Sequence, residues 1–373
     1  MNIKRVLQKM VELNASDLHV KVGTKPTARV NGELVVIDEP PPTQADMEAV
    51  VDQILTPKQK RVFEETKEVD FAFGVTGMSR FRSNFYQQRG TFAFVFRQVP
   101  ATIPAFEELN LPPVIEELAA KPRGLILVCG TVGSGKSTTL AAIIDSMNRR
   151  EARNIITIED PVEFLFRDKK STISQREVGL DTATFHDGLK HILRQDPDVI
   201  LIGEIRDPDT MRTALMAADT GHLVLSTLHT IDAAQTVNRI ISFFPPHDHE
   251  EIRFMLASTL QAVVALRLIP RSDRVGRVPA AEIMIVTSTI REYLLEQDKT
   301  SLIKSAIAEG VSQYGMQTFD QAIMKLYTEE RISLENALKY CSNPNEFELR
   351  VKGIHATSDE SWKTFERQKQ EFV

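Results

Sequence analysis

In the stretch LILVCGTVGSGKSTTL, from Leu125 to Leu140, an apolar run enters a glycine-rich loop that closes on Gly135-Lys136-Ser137-Thr138. The spacing Gly130-x-x-x-x-Gly135-Lys136-Ser137 fits the P-loop pattern, in which successive backbone N–H groups wrap a phosphate chain. The context fits as well. An apolar strand at 125–129 leads in and a helix starting near Lys136 leads out, so the positive end of that helix adds to the anion site. Lys136 is then placed to reach the β- and γ-phosphates of a nucleoside triphosphate, and the Ser137 hydroxyl to take a position on Mg²⁺. Thr131, Val132, Gly133, Ser134, Gly135 and Thr138 complete the expected cradle. A flexible glycine turn that met the pattern by chance would lack the flanking strand and helix.

The rest of the chain supplies the framework such a loop needs. Strands at 125–129, 154–159, 198–202 and 222–227 alternate with helices at 136–148, 184–194 and 208–219, the order of a βα-wound parallel sheet. This predicts an α/β core over 116–287. Ahead of it, Ile3, Val6, Leu7, Met10 and Val11 recur at helical spacing, and NASD then opens an extended segment, LHVKVG. ARVNGELVVI places Asn31-Gly32 between apolar runs, a two-residue hairpin signal. Helices over 43–55 and 58–65 follow, and then the alternating segments VDFAFGV, SRFRSNFYQQ and TFAFVFRQV, which read as half-buried strands. Residues 1–99 therefore read as a compact α+β domain. PATIPAFEELNLPPVI, with its four prolines, reads as a linker over 100–115, because proline blocks both helix continuation and sheet pairing. After 287 the strand signals stop, and 288–373 reads as a helical region.

A length of 373 residues fits two or three domains, and 42% apolar with 26% charged residues is a soluble globular composition. The net charge of −6 argues against a broad phosphate-backbone footprint, so no nucleic-acid partner is expected. No window approaches 18 uninterrupted apolar residues, and the N-terminus turns polar before a signal-peptide core forms, which points to the cytoplasm. The two cysteines, Cys129 and Cys341, fit a reducing compartment, with Cys129 a small core residue of the strand before the loop.

Phosphoryl transfer is catalysed mainly by positioning and charge stabilisation, so a P-loop engine needs carboxylates near the metal and the attacking water. DVILIGEIRD is an apolar strand ending in Gly203-Glu204, where the usual Asp-Glu pair has lost its first member. Glu204 is left to orient Mg²⁺ through water or to polarise the nucleophile; the plainer reading is a solvated acid at a strand end. NIITIEDPVEF runs into Glu159-Asp160-Pro161-Val162-Glu163, where a turn at the proline would fan three acids toward one point and make one of them a base, unless they are ordinary surface acids. DTGHLVLSTLHT sets His222 and His229 at the two ends of one strand and on opposite faces, so they do not bind one metal together. His229, at the nucleotide edge, is placed to sense the γ-phosphate. His247 and His249 in FFPPHDHEE have no third ligand in view and read as a polar turn.

The loop, acidic box, Gly-Glu strand and histidine box, in that order, resemble the secretion-ATPase superfamily of type II secretion and type IV pili. The resemblance runs from SDLHV (Ser16 to Val20) through GMQTFDQAI (Gly315 to Ile323). It implies a RecA-like ATPase domain behind a PAS-like N-terminal domain, with ATP and Mg²⁺ as ligands. In that family two arginines of the N-terminal domain approach the γ-phosphate, and RFRSNFYQQRGTFAFVFRQVP is similar to their segment, with Arg82 and Arg97 at the matching positions. Glu163 is then the implied general base, and Glu204 helps to hold Mg²⁺ and water. The extension and secretion members look longer at the N-terminus and carry a four-cysteine zinc insertion. This chain has neither, so it resembles the PilT/PilU-type retraction branch of twitching motility, and no zinc is expected. Its tail leans toward the PilU-like accessory form, and TIREYLLEQDKTSLIKSAI matches the retraction motor's AIRNLIRE-like segment only loosely. Further implications are a homohexameric ring, domain rotation about the proline-rich segment, and peripheral recruitment to an inner-membrane pilus platform protein, with a paralogous retraction ATPase as a further partner. The alternatives are a pilus assembly or type II secretion ATPase and, more distantly, a small-molecule kinase, which would need an arginine-rich lid that the sequence lacks.

Overall fold

The computed structural model describes residues 1–30, 32–99 and 102–354. The chain divides into two units, one of Met1–Thr102 together with Glu163–Leu165 and one of Ile103–Val162 together with the chain from Phe166 on.

The first unit runs α1 (Ile3–Glu12), β1 (Asp17–Lys21), β2 (Thr24–Val30), β3 (Glu33–Val36), α2 (Gln44–Ile54), α3 (Pro57–Thr66), β4 (Glu68–Val75), β5 (Ser79–Gln88) and β6 (Thr91–Val99). Local chemistry sets the helix starts. Asn2 caps α1, while Thr43 and Thr56 form capping boxes with Asp46 and Gln59, the latter with Pro57 in the first turn. The six strands pair antiparallel in the order β3-β2-β1-β6-β5-β4. Period-2 alternation sends Phe81 and Phe85 of β5 and Phe94 and Phe96 of β6 into the core. There the Phe85 and Phe94 rings stack with centroids 3.7 Å apart, and Phe71 meets Phe85 edge-on at 4.9 Å. The opposite face carries the arginines. β2 and β3 pair with Val30 opposite Glu33; of the expected Asn31-Gly32 turn, Asn31 lies outside the described residues.

The segment expected to be an open linker is folded from Ile103 on: Phe106–Leu109 forms a 3₁₀ turn and Pro113–Glu117 forms α4. Phe106 and Ile115 are buried in one cluster with Val128, Leu140 and Ile143. The prolines prevent a long helix, but they leave the apolar side chains between them free to pack. Pro100 and Ala101, at the start of that stretch, lie outside the described residues.

From there the order is β7 (Gly124–Cys129), α5 (Lys136–Arg150), β8 (Asn154–Glu159), β9 (Thr172–Glu177), α6 (Phe185–Ile192), β10 (Val199–Ile202), α7 (Pro208–Asp219), β11 (Leu223–Leu228), α8 (Ala233–Ser242), α9 (His249–Thr259), β12 (Leu260–Pro270) and β13 (Arg277–Ile285). The sheet order is β13-β12-β7-β11-β10-β8-β9, parallel throughout except for β13, which runs antiparallel to β12. Every residue of β7, β10 and β11 is buried, which is why these strands read as unbroken apolar runs. Alternate residues feed two cores, with Leu125, Leu127 and Cys129 on one face of the sheet and Ile126 and Val128 on the other. Strands β9, β12 and β13 were not foreseen from the sequence. The chain continues in α10 (Ser288–Leu295), α11 (Ile303–Glu309), α12 (Val311–Tyr314), α13 (Phe319–Thr328), α14 (Leu334–Tyr340) and α15 (Pro344–Val351); the expectation of helix beyond 354 falls outside the described residues.

One buried acid makes the stability of this unit sensitive to pH. Glu282 on β13 is 3% exposed, and its Oε1 accepts a hydrogen bond from the Ala233 N–H at the start of α8, 3.0 Å away. Burial pushes its carboxyl up from 4.5 to about 7; the charge of Asp232 adds to this, while the Ala233 bond, Lys304 and Arg267 oppose it. Between those two values the folded chain holds a proton that the unfolded chain has released, so stability falls as pH rises through the window. Glu282→Gln keeps an acceptor for Ala233 and removes the ionisation. Its thermal stability relative to the parent should therefore improve by up to about 3 kcal/mol between pH 4.5 and pH 8, and a pH-independent difference would contradict this reading.

Candidate nucleotide site

The loop between β7 and α5 is shaped by glycines in left-handed backbone conformations. Gly130, Gly133 and Gly135 have φ of 142°, 75° and 100°, in the region that glycine alone adopts freely. At Gly130 a Cβ would also meet Ser134 Oγ at 2.4 Å and the Leu266 carbonyl oxygen at 2.6 Å. Gly135 begins α5 with no side-chain cap, which leaves the first-turn N–H groups facing the loop, where an anion fits. Ser134 Oγ is buried without a hydrogen-bond partner among the described residues, a polar atom waiting for a ligand. Lys136, 8% exposed, donates from Nζ to the carbonyls of Gly130 at 2.9 Å and Thr131 at 3.0 Å, so its charge is held over the loop. Thr131, Val132 and Gly133 are exposed at the rim, while Ser137 and Thr138 are half-buried in the first turn of α5.

The acids and histidine reach this edge through sheet register. Strands β7, β11, β10 and β8 are consecutive neighbours and parallel, so the P-loop, His229 and Glu204 follow the carboxyl ends of adjacent strands and Glu159 closes the next one, the position where such sheets take ligands. Thr227 Oγ1 donates to the Gly203 carbonyl at 2.7 Å, and Ile205 N to the Thr227 carbonyl at 3.2 Å. These bonds fix the turn that presents Glu204. A Cβ at Gly203 would press within 3.3 Å of the Glu159 Cα, which accounts for glycine there. Glu204 keeps 14% of its side chain exposed, with Arg206 Nη2 at 2.5 Å from Oε1 and His229 Nε2 at 3.4 Å from Oε2. The Glu204 hydrogen bond, aided by the charges of Glu204 and Asp160, raises the Arg206 pKa against the effect of burial. Arg206 escaped the reading of the sequence, although it stands two residues beyond Glu204 in EIRD.

The three acids of the box stand in different surroundings. Glu159 is buried, and its Oε1 accepts from Thr157 Oγ1 at 2.7 Å and Gln175 Nε2 at 3.1 Å. Asp160 is exposed beside a cis Asp160–Pro161 bond. Glu163 is exposed and is grouped with the first unit. Behind the loop, Thr236 Oγ1 lies 2.6 Å from Thr230 Oγ1 and donates to Cys129 Sγ at 3.2 Å, joining the segment after His229 to the strand before the P-loop. Burial raises the Cys129 thiol, in keeping with a core role.

The other histidines singled out in the sequence take ordinary partners: His222 Nδ1 lies 2.9 Å from the Ala217 carbonyl, His249 Nε2 2.9 Å from that of Phe244, and His247 Nε2 3.5 Å from Asp248. In the first unit, Arg82 and Arg97 are opposite each other on β5 and β6. Both are exposed, and Arg97 Nε is 2.8 Å from Asp17 Oδ1. A cavity of about 410 Å³ adjoins the P-loop, with Ser134, Gly135 and Thr138 on one side and Leu266, Leu268 and Arg277 of β12 and β13 on the other. This lining was not seen in the sequence because those two strands were not.

A glycine cradle between a buried parallel strand and a helix, with an acid at the end of the next strand but one in the sheet, defines a P-loop nucleoside triphosphatase. Residues 105–331 match the family described as type II/IV secretion system protein, and the chain belongs to that family. It is 44% identical to the type IV pilus retraction ATPase PilT of Pseudomonas aeruginosa, over 93% of this chain and 100% of that protein. It is 39% identical to the type IV pilus ATPase PilU of the same organism, over 94% of this chain and 92% of that one. The crystal structure of the pilus retraction motor PilT with bound ADP superimposes with a TM-score of 0.87 at 42% identity, covering 93% of this chain and 99% of that one.

Proposed function

We propose that this chain is an ATP-hydrolysing motor that powers type IV pilus retraction, withdrawing pilin subunits for twitching motility. The observation that carries the reading is the alignment of the P-loop, His229 and Glu204 at the carboxyl ends of neighbouring parallel strands, within a chain similar to PilT along nearly its whole length. Backbone N–H groups of 131–135 and Lys136 hold the phosphates, Thr138 adjoins them, and the cavity against β12 and β13 takes the nucleoside end. The half-buried Ser137 hydroxyl and the Glu204 carboxylate are the hard oxygen donors that Mg²⁺ prefers. When bound there, the metal neutralises charge on the phosphate oxygens. Glu163 acts as the general base and His229 senses the γ-phosphate.

The working particle is a homohexameric ring in which Arg82 and Arg97 serve a nucleotide held by a neighbouring subunit. Residues 1–99 form the domain that moves and 116–287 the ATPase core, with a helical region from 288 to 354. Among the described residues no helix is long and apolar enough to cross a membrane, which agrees with recruitment from the cytoplasm to a platform protein at the inner membrane. The tail favours the PilU-like accessory form, acting beside a paralogous motor. Glu163→Gln tests the engine: bound ATP should persist while turnover stops, whereas rapid turnover would move the base to Glu204.

A further inference from the structure

Two guanidinium groups directly opposite one another on adjacent strands repel, and such like-charged pairs destabilise a sheet. Arg82 and Arg97 occupy that arrangement. The next residue in the same row, across β1, is Asp17, the register partner of Arg97. Its carboxylate is nearly buried, with 11% of the side chain exposed against 64% for Arg97, and it takes the Arg97 Nε–H at 2.8 Å. Its second oxygen accepts a hydrogen bond from Ser16 Oγ at 2.8 Å, which holds the carboxylate in place. Arg29 is opposite Asp17 on the other side, but its Nη1 donates to the Gly32 carbonyl at 2.7 Å. A guanidinium gripped at Nε presents its two Nη groups outward, the edge that makes paired hydrogen bonds to a phosphate.

We propose that Asp17 is a positioning residue for Arg97, fixing the tilt of its guanidinium and moderating the charge of the two-arginine row so that it engages a phosphate in one geometry. This inference rests on the role given above to Arg97. Without the carboxylate, the guanidinium gains rotamers and the row gains positive charge. Ground-state attraction for nucleotide is therefore kept or increased while alignment in the transition state is lost, so kcat should fall with no rise in KM.

The test is steady-state ATP hydrolysis by the full chain carrying Asp17→Asn, an isosteric change that retains the Ser16 bond, alone and combined with Arg97→Ala. Asp17→Asn should lower kcat by about five- to tenfold with KM unchanged or lower, and should have no further effect once Arg97 is alanine. If Arg97→Ala alone hydrolyses ATP like the parent, the role of Arg97 fails, and the proposal for Asp17 goes with it. If Arg97→Ala loses turnover but Asp17→Asn is silent in the parent, raises KM, or costs as much in the Arg97→Ala background, the assignment of Asp17 is overturned while that of Arg97 stands. Thermal midpoints of all four proteins, each expected to stay above the assay temperature, separate loss of alignment from loss of fold.

Discussion

Lys136→Ala should hydrolyse ATP at least about 10²- to 10³-fold more slowly than the parent, the scale of losing one preorganised charge aimed at a reacting phosphate. The amine is nearly buried and already bonded to the carbonyls of Gly130 and Thr131, so little further ordering is needed for it to meet a phosphate chain. Alanine removes the charge and leaves both carbonyls without that donor. The measurement is phosphate release at saturating ATP, with the thermal midpoint in the absence of nucleotide as a check on folding. Hydrolysis at the parent's rate in a folded variant would remove the assignment of the loop.

The second large effect belongs to the arginine row. Arg82→Ala and Arg97→Ala should each retain nucleotide binding, because the cradle lies in the other unit, and lose turnover by about 10³-fold or more, as when an arginine finger is withdrawn. Both side chains are exposed strand residues, so neither change empties the phenylalanine core beneath them. Binding of a fluorescent ATP analogue, measured beside turnover, separates the two effects. Unchanged rates would return both residues to the solvated face of a sheet.

What was legible in the sequence follows physical locality. The P-loop was readable because its constraints lie within a few residues: glycine where φ is positive, a lysine and hydroxyls at the helix start. Strands β7, β8, β10 and β11 were found to within a residue, because burial on both faces turns them into apolar runs. β12 was missed because it follows α9 with no turn residue between them. β13 carries Pro279 and the buried Glu282, both poor strand signals, and its place at the edge of the sheet is what accommodates the proline. β9, at the other edge, is polar enough to read as loop. Four prolines hid the packing of Phe106 and Ile115.

The pairings of the site were the hardest to see. The approach of His229 to Glu204 depends on the register of two parallel strands, and the grip of Asp17 on Arg97 joins residues 80 positions apart. Spacing along the chain carries neither. Residue types nominated the candidates, and sheet order decided which of them meet.

A ring that turns over ATP is best looked for by recording ATP hydrolysis by the purified protein alongside its mass in solution, with and without nucleotide. Hydrolysis by a particle of six 42.0 kDa chains is expected. A monomer that hydrolyses nothing, in the presence of ATP and Mg²⁺, would contradict it.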